Sequence, residues 1–219
     1  MKLNETALLL IDLQKETKYD LLELDNVISN TKELISQCRK LEIPIIYTRH
    51  INRQDCVGLA YKDPLDKNGE PIFYNSNTDS IEIFDEIKPE QEDIVIDKHR
   101  WSGFYQTSLD LTLKSLNTKH LIIGGLVTDG CLMTSVFDAF ANDYQVNLVK
   151  DICSTTNIGA HMSSILIMSN WVYGIEVYDT KELIKKLDGK NYKAWKWTEP
   201  DELKFDDNNI AEVFQQLNK

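Results

Sequence analysis

Leu121-Ile122-Ile123-Gly124-Gly125-Leu126-Val127-Thr128-Asp129-Gly130-Cys131 is the stretch on which the fold turns. An apolar run, a glycine pair and a Thr-Asp-Gly turn lead into a segment where Leu132, Val136, Ala139 and Phe140 form an inward stripe. The order predicts strand, tight turn and helix, with Cys131 in the helix's first turn. Unpaired backbone N–H groups and the positive end of the helix dipole there favour a thiolate, and the same N–H groups can receive an oxyanion. Cys131 is therefore the candidate nucleophile.

Outward from this stretch, short apolar runs alternate with helical periodicity. Strands are expected at Ala7–Ile11, Ile43–Thr48, Ile94–Asp97, Val146–Val149 and Gly174–Val177, beside Leu121–Ile123. Helices are expected from an N-cap at Asp25 through Leu41, across Leu109–Leu116, from Cys131, across His161–Asn170 and across Thr180–Leu187, with a short one over Asp79–Ile87. Such alternation, with strands apolar enough to be buried on both faces, argues for a parallel α/β sheet. From Arg49 to Asn77 the pattern dissolves into Asn, Asp, Gly, Pro and Lys, a long loop of the kind that tends to carry function.

The chain has 219 residues, 42% of them hydrophobic, which suits one domain with at most a small appendage. A formal net charge of −11 disfavours nucleic acid and anionic membrane as partners. No apolar run approaches the ~20 residues of a membrane span. The run from Ala7 to Ile11 is too short for a signal-peptide core, so a cytoplasmic location is expected. The four cysteines include no C-x-x-C pair and are expected as free thiols.

In open α/β sheets, ligands bind beyond the carboxyl ends of the strands. Asp12, Lys98 and Cys131 all fall at such positions. Together they make chemical sense: the carboxylate accepts the thiol proton and returns it to a leaving amine, while the ammonium stabilises both anions. Taken singly, Asp12 also reads as a turn cap, Lys98 as a solvated strand-end lysine and Cys131 as a small buried residue. Periodicity alone leaves those alternatives open.

The segments Asp12-Leu13-Gln14, Lys98-His99-Arg100-Trp101-Ser102-Gly103-Phe104 and Gly125 to Cys131, followed by Thr134 and Asp138-Ala139, resemble the isochorismatase-like cysteine hydrolases. The likeness runs from about Thr6 to Leu187. It implies a doubly wound, six-stranded parallel sheet, with Asp12 as general base, Lys98 as its electrostatic partner and Cys131 as nucleophile. It also implies a cis peptide between Leu126 and Val127, aiming the Val127 N–H, with that of Cys131, at the substrate oxygen. Family members that cleave amides, ureides and carbamoyl groups carry the cysteine. Vinyl-ether-cleaving isochorismatases often have glycine there. Cys131 thus favours C–N cleavage through a thioester, with vinyl-ether hydrolysis, or ligand binding without catalysis, as alternatives. The family's nicotinamidases hold a metal through Asp-x-His-x-x-His. Arg49 to Asp55 lacks that spacing, so no metal and no cofactor are expected.

Gln14, His50, Trp101 and Phe104 are candidate substrate contacts. Arg100 and His99 read as solvated neighbours of Lys98, and His161 as structural. Residues 1–189 are expected to form the hydrolase domain. Residues 190–219, with Trp195, Trp197 and a stripe of Ile210, Val213, Phe214 and Leu217, hold too much apolar surface for a free tail. They should dock as an arm with a short helix. The docking place is either their own domain or a subunit interface; the resemblance implies a homo-oligomer, dimer or tetramer, which the tail is expected to help form.

Overall fold

Six parallel strands carry the molecule: β1 (Thr6–Ile11), β2 (Ile45–His50), β3 (Ile94–Lys98), β4 (His120–Gly125), β5 (Gln145–Val149) and β6 (Glu176–Tyr178). The structure is a computed structural model and describes residues 1–16 and 19–218. Every residue of β1 is buried, as a run flanked on both faces by helices requires. The sheet order is β3-β2-β1-β4-β5-β6, followed by a short antiparallel edge strand, β7 (Trp195–Lys196). The expectation of six strands is corrected to seven. The extra strand comes from the tail, where Trp195 pairs with Val177 in a segment too short to show alternation.

The chain winds outward through β2 and β3 on one side of β1, then through β4, β5 and β6 on the other. The strand order therefore reverses between β1 and β4, and a crevice opens at their carboxyl ends. Five helices pack on the sheet: α1 (Leu24–Lys40), α2 (Leu109–Ser115), α3 (Met133–Ala141), α4 (Ile158–Trp171) and α5 (Thr180–Leu187). In α1, Val27, Thr31, Leu34, Ile35 and Cys38 face inward at the spacing of a half-buried helix. Asp25 lies inside its first turn rather than capping it; Glu23 holds the cap position with a left-handed φ of 51°. In α4 the side chain of Asn157 accepts the Ala160 N–H, a capping bond that starts the helix ahead of its expected position. The expected helix over 79–87 resolves into two separate 3-10 turns, Asp79–Ile81 and Asp85–Ile87. Among the described residues, no helix is long and apolar enough to cross a membrane.

Residues 190–218 lie on their own chain. Beyond β7, a last short helix, α6 (Ile210–Gln215), packs on α4, and Trp195, Leu203, Val213 and Leu217 are buried. Asn170 at the end of α4 clamps the tail. Its Nδ2 donates to Leu203 O at 3.0 Å, and its Oδ1 accepts Leu203 N–H at 2.8 Å. The tail thus covers α4 and the edge of its own sheet.

Candidate active site

Asp12 leaves β1 with a φ of 48°, a left-handed conformation that Asp tolerates better than most residues. Thr48, at the end of β2, fixes its carboxylate: Thr48 Oγ1 donates to Asp12 Oδ1 at 2.6 Å. Lys98 Nζ lies 2.6 Å from the other oxygen, Oδ2, and both side chains are fully buried. The ammonium also donates to Arg100 O at 2.9 Å and stands 3.4 Å from His50 Nδ1. A buried ion pair persists only where its remaining atoms find such partners. Burial works against the Lys98 charge, but the neighbouring Asp12 and Cys131 outweigh it, and its pKa is raised.

Lys98 is not on a strand adjacent to Asp12. β2 lies between β3 and β1, so at ~4.8 Å per strand the two backbones are about 10 Å apart. The length of a lysine side chain is what joins them.

The turn after β4 brings Cys131 to the same place. Gly125 has a φ of 134°, and a Cβ there would stand 2.1 Å from Ile11 O, so only glycine allows the turn to close against β1. Leu126 N–H then donates to Ile11 O at 2.8 Å. The Leu126–Val127 peptide is cis, as the resemblance implied. Thr128–Leu132 forms one π-helical turn ahead of α3, with Leu132 N–H reaching Val127 O at 3.3 Å. Cys131 therefore sits in a wide turn before the α-helix, not in the helix's first turn. Ser135 Oγ donates to Cys131 O at 2.6 Å and accepts the Gly103 N–H at 2.8 Å, which ties this turn to the segment following Lys98.

Asp12, His50 and Cys131 each place a polar side-chain atom within 4.8 Å of the others. The thiol is only 6% exposed. Burial first, and the Asp12 carboxylate second, push its pKa up, with Lys98 offsetting this only in part. Burial therefore works against the thiolate expected from the helix dipole. His50 is pushed down to about 4 by burial and then by Lys98, so it is neutral near pH 7. With Nδ1 facing an ammonium, the ring proton belongs on Nε2, 3.3 Å from Asn52 Oδ1. These three residues could in principle hold a metal, but Lys98 already places a cation on the same carboxylate. With a thiol and an imidazole among its donors, the set is not the oxygen cage of a calcium or magnesium ion.

A cavity of about 190 Å³ opens on Cys131, lined by Val127, Asp129 and Gly130 from the turn, Trp101, and Tyr19, His50, Asn52, Asp63, Phe73 and Tyr74. Of the expected substrate contacts, His50 and Trp101 line it. Gln14 and Phe104 do not. The Gln14 amide is engaged by backbone, donating to His50 O and Ile81 O and accepting the His50 N–H. It holds the end of β2 in place. Phe104 packs against the Tyr144 ring at 5.9 Å. The sequence reading missed Thr48, although it ends a strand beside Asp12. It also missed Tyr19, Asn52, Asp63, Phe73 and Tyr74, most of which fall in the loop singled out only as a block.

The sequence model of the Isochorismatase domain family matches residues 6–182. The chain belongs to the isochorismatase family. Among similar proteins of this family is an isochorismatase family protein of Bacillus subtilis (strain 168), YddQ, 27% identical over 70% of this chain and 79% of its own. The ureidoacrylate amidohydrolase RutB of Rhizobium rhizogenes (strain K84) is 24% identical over 81% of this chain and 79% of its own. Nicotinamidase 3 of Arabidopsis thaliana is 28% identical over 73% and 78%. A crystal structure of a cysteine hydrolase from Pseudomonas syringae pv. phaseolicola 1448A shares the fold, with a TM-score of 0.74 at 21% identity over 86% of this chain and 95% of that one. This isochorismatase-family chain is a hydrolase with a small-molecule site.

Proposed function

We propose that this hydrolase cleaves a C–N bond of a small amide, ureide or carbamoyl compound through a thioester on Cys131. The observation that carries this reading is the convergence of a buried thiol, carboxylate and ammonium where the strand order reverses. Two relatives named for C–N hydrolysis, the ureidoacrylate amidohydrolase and the nicotinamidase, support it.

Asp12 takes the Cys131 thiol proton as Sγ attacks the carbonyl carbon. The carbonyl electron pair moves onto oxygen, facing the N–H groups of Val127 and Cys131. Collapse of this intermediate breaks the C–N bond, and the proton on Asp12 leaves with the amine. Water then gives a proton to Asp12 and attacks the thioester carbon. The C–S bond breaks and the proton returns to sulfur. Lys98 holds Asp12 in place throughout and favours its ionised form before each proton transfer.

Intact-mass spectrometry during turnover of a panel of amides and ureides tests the proposal. An acyl adduct mapped to Cys131, absent from a folded Cys131→Ala protein that releases no ammonia, is the expected result. Undiminished ammonia release by that variant would overturn it.

A further inference from the structure

The walls of the cavity carry charge of one sign. Asp63 and Asp129 line it, and no lysine or arginine is among its described lining residues. The Asp12 charge at its base is matched by Lys98, so it does not neutralise this rim. The remaining walls are rich in π-faces. Tyr19 and Phe73 stack at 4.8 Å with 4° between their planes, Tyr74 stands 6.1 Å from Tyr19, and the exposed Trp101 lines another side. Aromatic faces attract cations through the ring quadrupole, and carboxylates attract them directly. A substrate carboxylate would meet two like charges and no cationic partner on those walls.

We infer that this site accepts a small amide or carbamoyl compound bearing a positive charge, an ammonium or guanidinium end held among Tyr19, Phe73, Trp101 and Asp63 while its carbonyl faces Cys131. The inference rests on the thioester reading and adds to it the charge of the substrate. It sets this chain apart from a hydrolase for an anionic acid.

The test uses three alkylating probes of different charge on the whole chain: iodoacetate, iodoacetamide and an iodoacetamide with a trimethylammonium arm. Labelling of Cys131 is followed by peptide-resolved mass spectrometry, and each rate is divided by that of the same cysteine in the urea-unfolded chain. The expected order is cation, neutral, anion, with about tenfold between the ends. In Asp63→Asn, whose side-chain oxygen can still accept the Ala60 N–H, that spread shrinks severalfold; Asp129→Asn acts in the same direction. Lys18, next to Tyr19 in sequence, lies outside the described residues, so Lys18→Gln is carried through the same series and should show the same order. Equal rates, an iodoacetate preference, or an order that appears only in Lys18→Gln would overturn the charge inference while leaving the thioester reading in place. Failure of all three probes to label Cys131 would overturn both.

Discussion

Thr48 shows how much of the chemistry depends on a residue that touches no substrate. Its hydroxyl fixes one oxygen of Asp12 while Lys98 holds the other, so the carboxylate has little freedom to rotate. Thr48→Val keeps the shape and removes the bond; kcat/KM should fall about tenfold with the fold intact, while an unchanged value would remove Thr48 from the site. Asp12→Asn should cost ~10²–10⁴-fold in kcat/KM, because the amide cannot take the thiol proton. A loss below tenfold would end its role as base. Lys98→Met should act on stability as well, since it strands a buried carboxylate, a change worth about 3–5 kcal/mol. Urea unfolding measures it. His50 gives the pH dependence. Its folded pKa, about 4, lies below the ordinary 6.5, so the unfolded chain binds more protons between those values. The stability it contributes is complete above about pH 6.5 and is lost as pH falls toward 4. By pH 5 the loss is about 2 kcal/mol. Wild type should lose that much more than His50→Gln between pH 7 and 5; equal losses would contradict a neutral buried ring.

At the scale of elements, legibility followed the physics of each signal. β1, β4 and the turn to Cys131 could be read directly, because both-face burial demands unbroken apolar runs and a close approach of strands demands glycine. Asp12, Lys98 and Cys131 were legible as strand-end residues. Their convergence needed the strand order, and no sequence spacing reports that Lys98 must reach across β2. The loop after β2 was legible only as loop. Its shape depends on long-range bonds: Asn52 Nδ2 to Phe73 O at 3.1 Å, Asn52 N–H to Tyr74 O at 2.9 Å, and Tyr74 N–H to Glu16 Oε2 at 2.8 Å. Each of these bonds joins residues at least 21 positions apart in the chain. The burial that works against a Cys131 thiolate was equally hidden, because it is set by long-range packing and not by the local turn.

The molecule as a whole closes its sheet with its own tail. Burying Trp195, Leu203, Val213 and Leu217 at ~1.5–3 kcal/mol each is a gross stabilisation of about 6–12 kcal/mol before chain entropy is charged against it. A chain ending at Gly189 should therefore melt well below the full length or fail to stay soluble; an unchanged Tm would show that the tail is dispensable. The tail also touches the site at one remove. Phe214 meets the His161 ring edge-on at 5.7 Å, and His161 Nδ1 lies 3.0 Å from Thr128 Oγ1 in the Cys131 turn. A second division runs through the molecule. The proposed base and nucleophile ride on β1 and β4, locked together by six register pairs, while four of the cavity walls, Asn52, Asp63, Phe73 and Tyr74, belong to one excursion of the chain. Reaction and recognition can therefore be inherited separately. A lineage could redraw residues 51–77 and change its diet without disturbing the bond-breaking apparatus, and a grafted loop from a relative should carry its donor's substrate preference with it.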